Sequence, residues 1–268
     1  MKTAKIIQIL TALTLAAVVL CGCSFLAQEI PVPEEPTVPE TTRETIPPNP
    51  YNEDDFTTNG ETVECVTGQT RFGIDVSYWQ GDIDWEQVKD AGVSFVMIRV
   101  GWRGSEQGIL SPDKKAQEYY EGARAAGLDV GCYLFSQAIS VEEAVEEAEF
   151  ALEQIRDWEL SMPVAYDWEY ISADSRTGNV DARLLTDCTA AFCERIKEAG
   201  YEPMIYFNVN QSHHKMYLEE LTDYPFWLAM YDAPMNYPYR VNMWQYSNTG
   251  KIPGIDADVD LNIYFIYE

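Results

Sequence analysis

Five short runs rich in Val, Ile, Tyr and Phe, at 72–76, 94–100, 130–135, 162–168 and 203–207, alternate with segments of helical periodicity. Runs of this length read as buried strands, and strand–helix alternation restricts a chain to folds built on a parallel sheet. The clearest helix starts at Ser140, whose hydroxyl caps the first turn while Glu143 completes a capping box. It carries Val141, Ala144, Val145, Ala148, Leu152 and Ile155 on one face and leaves Glu142, Glu143, Glu146, Glu147 and Glu149 to solvent. A second helix over 180–199 buries Leu185, Cys188, Phe192 and Ile196 and stops at Gly200. Beyond residue 207 the pattern changes. Runs at 226–230, 241–246 and 259–266 read as strands, but apart from 214–221 their connections are too short for full helices. The expected fold is α/β, a TIM-like barrel of five βα units closed by three further strands.

Chemistry on such a barrel gathers at the C-terminal strand ends. There, after Pro163, stands Val164-Ala165-Tyr166-Asp167-Trp168-Glu169-Tyr170. On a strand, Asp167 and Glu169 project from the same face with Cα atoms roughly 6.5–7 Å apart. Carboxyls this close do not ionise independently: one is pushed toward the protonated form while the other stays charged, the division of labour that cleavage of a glycosidic bond requires. The same rule collects more residues at this rim. Asp75 closes the first strand, Tyr133 and Tyr206 lie near the ends of the third and fifth, Trp244 and Gln245 end the seventh run, and Asp260 sits in the last. Acids beside flat rings are the furniture of a sugar cleft.

The chain divides into three parts. Residues 1–22 have a charged start and an apolar stretch of about fifteen residues, short for a membrane span and suited to a secretion signal. It ends in Leu20-Cys21-Gly22-Cys23, which resembles a bacterial lipobox and makes Cys23 the expected lipidated residue; an ordinary secretion signal is the other reading. Residues 23–68, rich in Pro, Thr and Glu, read as a disordered linker, whose extended reach at about 3.1 Å per residue is roughly 140 Å. Residues 69–268 hold 34 acids against 15 bases, a net charge of −19. So acidic a domain repels nucleic acid and anionic lipid, leaving a lipid anchor as its expected hold on a membrane. Cys188 and Cys193 are turned about 500° apart on one helix and cannot bridge each other; buried thiols are expected at Cys65, Cys132, Cys188 and Cys193, with disulfides in an oxidising compartment as the other reading. No spacing suggests a metal site, His213-His214 included.

The quoted segments carry a resemblance. Phe72-Gly73-Ile74-Asp75-Val76-Ser77-Tyr78-Trp79-Gln80-Gly81, Ile83-Asp84-Trp85 and Phe95-Val96-Met97-Ile98-Arg99 are similar to the opening of glycoside hydrolase family 25, the bacterial and phage lysozymes. The similarity runs on through Gly131-Cys132-Tyr133-Leu134-Phe135, Tyr166-Asp167-Trp168-Glu169, Ile205-Tyr206, Trp227-Leu228-Ala229-Met230-Tyr231, Trp244-Gln245-Tyr246 and Val259-Asp260-Leu261-Asn262. It implies an N-acetylmuramidase that cuts the β-1,4 bond between N-acetylmuramic acid and N-acetylglucosamine in peptidoglycan with retention, needing no metal and no organic cofactor. It implies Glu169 as general acid and Asp167 as its partner, which either orients the substrate's acetamido group as internal nucleophile or stabilises the positive charge directly. Asp75 and Asp260 match the family's two further acids, and Tyr133, Tyr206, Trp244 and Gln245 are the expected substrate contacts. The expected molecule is a monomeric lipoprotein on the extracellular face of the bacterial cytoplasmic membrane, facing the cell wall. Two alternatives stand: a glycan-binding lipoprotein without turnover, and a hydrolase of a related acetamido polysaccharide.

Overall fold

The computed structural model describes residues 45–231 and 233–267; the expected signal, Cys23 and the first part of the linker lie outside the described residues. A hairpin of β1 (Phe56–Asn59) and β2 (Thr62–Cys65) leads into β3 (Gln69–Val76), α1 (Trp85–Asp90), β4 (Phe95–Arg103) and β5 (Leu110–Pro112). Then follow α2 (Ala116–Ala125), β6 (Asp129–Ser136), α3 (Val141–Ile155), β7 (Val164–Trp168) and α4 (Ala182–Glu198). The chain ends with β8 (Pro203–Asn208), α5 (Val209–His214), β9 (Phe226–Ala229), β10 (Met243–Gly250) and β11 (Val259–Ile266). Strands β3, β4, β6, β7, β8, β9, β10 and β11 pair in that order, and β11 returns to β3 to close an eight-stranded barrel in a mixed α/β fold. Seven strands are parallel; β11 runs antiparallel to both neighbours.

Side chains alternate across this sheet with period two. Val164, Tyr166 and Trp168 of β7, Ile205 and Phe207 of β8 and Leu261, Ile263 and Phe265 of β11 belong to the outer core, with Phe265 beneath Tyr51 and Phe56. Phe95, Met97, Ala165, Met204, Trp227 and Met243 fill the barrel interior. Gly73 makes room there, since a Cβ at this position would come within 2.3 Å of the Phe95 ring. Barrel strands thus offer their second face to whatever sits above this plug, and the inward residues at their C-terminal ends form the site.

Expectations fail on α3 and on the linker. In α3, Ser140 Oγ does accept from Glu143 N at 3.3 Å, but the Glu143 carboxylate takes Ile139 N at 2.9 Å rather than closing the box on Ser140. Glu147, expected in solvent, is fully buried and accepts from Arg103 Nε at 2.7 Å and Ser136 Oγ at 2.6 Å, while Val145 stays exposed. The helix docks through Ala144, Ala148 and Ala151, small residues that bring Glu147 against the buried Arg103 of β4. Burial lifts the Glu147 carboxyl to about 7 despite these bonds.

The linker, expected through residue 68, is folded from residue 46 onward in part. Arg240 N donates to Pro47 O at 2.8 Å and Asn49 N to Pro238 O at 2.9 Å, tying this segment to the β9–β10 loop. Tyr51 stacks on Phe265 at 5.3 Å, and Phe56 meets Trp244 edge-on at 5.5 Å. Averaging composition over the whole segment hid these apolar residues and the hairpin signal Asn59-Gly60, whose glycine adopts φ 61° at the turn. The four cysteines in the described residues are unpaired, Cys132, Cys188 and Cys193 buried and Cys65 partly exposed.

Candidate active site

Strand periodicity delivers one inward side chain from nearly every barrel strand to a single cleft of about 270 Å³. Asp75 arrives from β3, Arg99 from β4, Tyr133 and Phe135 from β6, Asp167 from β7, Tyr206 from β8, Trp227 from β9, Gln245 from β10 and Asp260 from β11. Glu169 joins them as the residue just beyond the end of β7. Asp75 and Asp260 are register partners across the β3–β11 seam, and Asp167 sits in register with Tyr206. Below, the packed barrel interior forms the floor. A hollow of about 330 Å³ among Ile46, Tyr224, Arg240 and their neighbours lies at the other ends of the strands and receives none of these acids.

Trp244 is not part of this cleft. Its indole Nε1 donates to Met230 O at 2.9 Å, and the ring packs outward beneath Phe56 of the hairpin. Neighbouring residues on a strand face opposite ways, so Gln245 and Trp244 cannot both enter the barrel mouth; the structure brings in Gln245.

Asp75 is the best-supported acid. Its Oδ2 accepts from Gln245 Nε2 at 2.7 Å and Asn262 Nδ2 at 2.8 Å. Those amides are themselves held: Tyr206 and Tyr231 hydroxyls donate to Gln245 Oε1, and Trp227 Nε1 donates to Asn262 Oδ1 at 2.8 Å. Burial raises Asp75 to about 6, against the two amide bonds, and nearby Glu169 adds to the rise. Asp260 is raised to about 8 by burial, then by Asp75 and Glu169. Asp167 is pushed well above the ordinary carboxylate range by burial, Glu169 and Asp75, with the Arg99 guanidinium opposing. Burial also raises Glu169. Burial thus raises all four acids above the ordinary carboxylate range, because all are desolvated together. Asp167 Oδ1 is buried and has no hydrogen-bond partner among the described residues.

The end of β7 is fixed by side-chain amides from both flanks. Gln137 Nε2 donates to Glu169 O at 2.6 Å and Gln211 Nε2 to Trp168 O at 2.5 Å, both amides being buried. Gln211 is in turn locked in a capping box with Asn208 at the start of α5. Arg99 donates through Nε and Nη2 to Asp113 Oδ2 at 3.0 and 2.9 Å and lies against the rings of Tyr78 and Trp102. Among the described residues no group of three or more His, Cys, Asp or Glu is arranged to hold a metal ion.

The model of glycosyl hydrolases family 25 matches residues 74–255, a stretch that runs from the inward face of β3 past β10 and holds Asp75, Asp167 and Glu169. The chain belongs to this family. Among relatives of the family 25 chain, the autolytic lysozyme of Clostridium acetobutylicum is 28% identical over 198 residues, covering 71% of this chain and 54% of that protein. Lysozyme M1 of Streptomyces globisporus is 26% identical over 205 residues, covering 71% and 66%. The chain thus spans between half and two thirds of the length of these relatives. The solved structure of the modular autolysin LytC from Streptococcus pneumoniae superposes with a TM-score of 0.65 at 24% identity, covering 80% of this chain and 49% of that one.

The family 25 cleft also contains Ser77, Trp79, Gln80, Arg99, Phe135, Trp227, Tyr231 and Asn248, to which the sequence reading gave no role. Most sit inside its quoted motifs. Phe135 stands two positions beyond Tyr133 and in register with Asp167, Trp227 is in register with Tyr206, and Arg99 stands two positions beyond Met97, the register partner of Asp75; nothing in local sequence points to Asn248.

Shared desolvation has a consequence for stability. A carboxyl whose pKa is higher folded than unfolded binds extra protons in the fold, so its contribution is complete below about pH 4 and is lost as pH rises through the folded value. With Asp75 at about 6 and Asp260 at about 8, the thermal midpoint falls between pH 5 and pH 9. In Asp260→Asn that decline is shallower by roughly 10 °C. Thermal melts of both proteins across this range check it, and parallel curves would contradict it.

Proposed function

We propose that this chain is a lysozyme that cleaves the β-1,4 bond between N-acetylmuramic acid and N-acetylglucosamine in peptidoglycan, with retention and with help from the substrate's own acetamido group. The observation that carries the reading is the convergence of four desolvated carboxyls at one barrel mouth, with a buried Asp167 oxygen lacking a partner. A buried acceptor left open costs about 1–3 kcal/mol until a donor reaches it. An acetamido N–H is such a donor. Glu169, whose carboxyl pKa burial raises, gives its proton to the glycosidic oxygen as the C1–O bond breaks. The acetamido carbonyl oxygen closes on C1 from the other face, and its N–H is drawn to Asp167. Asp167 stands ionised beside Glu169 in this reading, so the positive charge developing on the ring that the acetamido group closes strengthens its hold on the N–H, an interaction stronger in the transition state than in the ground state. Glu169 then takes a proton from the water that reopens the ring, which returns the original configuration at C1.

Asp75 and Asp260 act in this reading as positioning groups whose charge state sets that of the central pair. We place the protein at the outer face of the cytoplasmic membrane, tethered as a monomer through lipidated Cys23 with the glycan strands of the wall as its partner. The test is mass spectrometry of digests of purified peptidoglycan. New reducing ends on N-acetylmuramic acid are expected. Reducing ends on N-acetylglucosamine would give the bond assignment to another class, and none at all would favour glycan binding without turnover.

A further inference from the structure

Trp79 exposes 68% of its surface, although it lines the acid cleft. Trp79 sits in the one-turn 3₁₀ segment Tyr78–Gln80 that follows β3, four residues past Asp75. That segment is capped by its own side chains and pinned from two directions. Ser77 N donates to Gln80 Oε1 at 2.8 Å, Gln80 Nε2 donates to Asp258 O at 2.9 Å, and Tyr78 N donates to Asp113 Oδ2 at 3.1 Å. Tyr78 backs the indole at 4.5 Å between centroids, and Tyr78 itself carries the Arg99 guanidinium at 5.1 Å and the Lys114 ammonium at 4.8 Å. Tyr78 is the one ring partner of Trp79 among the described residues, so the rest of the indole is open.

We propose that Trp79 is a stacking platform for a sugar ring of the bound glycan strand, at a subsite beyond the residues whose bond meets the acids. This rests on the reading of the cleft as a glycan-cleaving site. A pyranose ring in a β-1,4 strand presents an apolar C–H face that suits a flat aromatic surface. Because the supporting turn is already fixed, little conformational freedom is lost when a sugar settles on it. The floor of the cleft cannot supply such a contact: its rings, Tyr133, Tyr206 and Trp227, are buried among one another with their edges engaged. Trp79 is the most exposed aromatic side chain lining the cleft, whereas the acids below it are buried, so in this proposal a sugar stacked on it lies outside the pair whose bond meets the acids. The predicted property is therefore a preference for long strands.

The experiment measures binding of soluble, uncrosslinked peptidoglycan strands and of a tetrasaccharide by calorimetry, in a Glu169→Gln background that prevents turnover. Adding Trp79→Ala is expected to weaken binding of long strands about three- to ten-fold and the tetrasaccharide less, and Trp79→Phe to restore most of the loss. Unchanged affinity for long strands in Trp79→Ala, or an equal loss for both ligands, overturns the platform. Release of muramic acid reducing ends by the unmutated protein is measured alongside. If it occurs while Trp79→Ala binds normally, only the platform fails; if neither cleavage nor glycan binding is found, the reading of the cleft fails with it.

Discussion

Glu169→Gln is expected to fold normally and to lower the rate of peptidoglycan solubilisation by about 10²–10⁴-fold at every pH, the range attributed to a positioned general acid. Gln has the shape of Glu but no proton of suitable acidity to give. Its backbone is unaffected by the change, because Gln137 holds the carbonyl of residue 169 and not its side chain. Removing one carboxyl from a cleft in which Asp75, Asp167 and Asp260 are all raised partly by Glu169 also lowers their pKa values. A thermal midpoint at pH 8 no lower than that of the unmutated protein is the sign that folding is intact. Asp75→Asn behaves differently. An asparagine retains one oxygen to accept from Gln245 and Asn262, so the support network survives and the rate falls by about ten-fold or less. Turbidity clearing and reducing-end release measured on both variants separate the roles. Full activity in Glu169→Gln removes it as the proton donor, and a larger loss in Asp75→Asn than in Glu169→Gln reverses the assignment between them.

Most of the candidate site could be read from strand periodicity because barrel chemistry depends on which face a residue occupies. Asp75, Tyr133, Asp167, Tyr206, Gln245 and Asp260 each occupy an inward position near a strand end, and the run boundaries located them well enough. Trp244 marks where that reasoning was too coarse: a strand end was identified, but its two faces were not told apart. The shared desolvation of the acids was beyond the reach of spacing. Proximity of Asp167 and Glu169 implies that they titrate as a coupled pair, whereas the common burial of four carboxyls under one rim, which raises them together, depends on the closed barrel. Glu147 shows the same limit in a helix, where an acid in an acidic run is drawn inward by an arginine 44 residues earlier in the chain.

A chain starting at residue 69, the boundary that composition suggested, is expected to melt about 10 °C or more below one starting at residue 45. Truncation removes Ile46, Tyr51, Phe56 and Val63, all packed against the core, and uncovers the outer faces of Trp244 and Phe265. At about 1.5–3 kcal/mol for a fully buried side chain, four partly buried ones amount to about 4 kcal/mol or more. That is a large share of the 5–15 kcal/mol typical of a whole domain, and each kcal/mol moves the midpoint by about 2–4 °C at this size. The loss also reaches the cleft. Tyr246 OH donates to Glu61 O at 2.9 Å, so the hairpin braces β10 on both sides of Gln245, the residue whose amide holds Asp75. Freed of that brace, β10 loosens before the barrel unfolds, and activity at 37 °C falls further than the folded fraction does. Thermal melts and reducing-end assays on the two chains test both parts: equal midpoints would show the hairpin to be ornamental, and activity tracking the folded fraction would confine its role to stability.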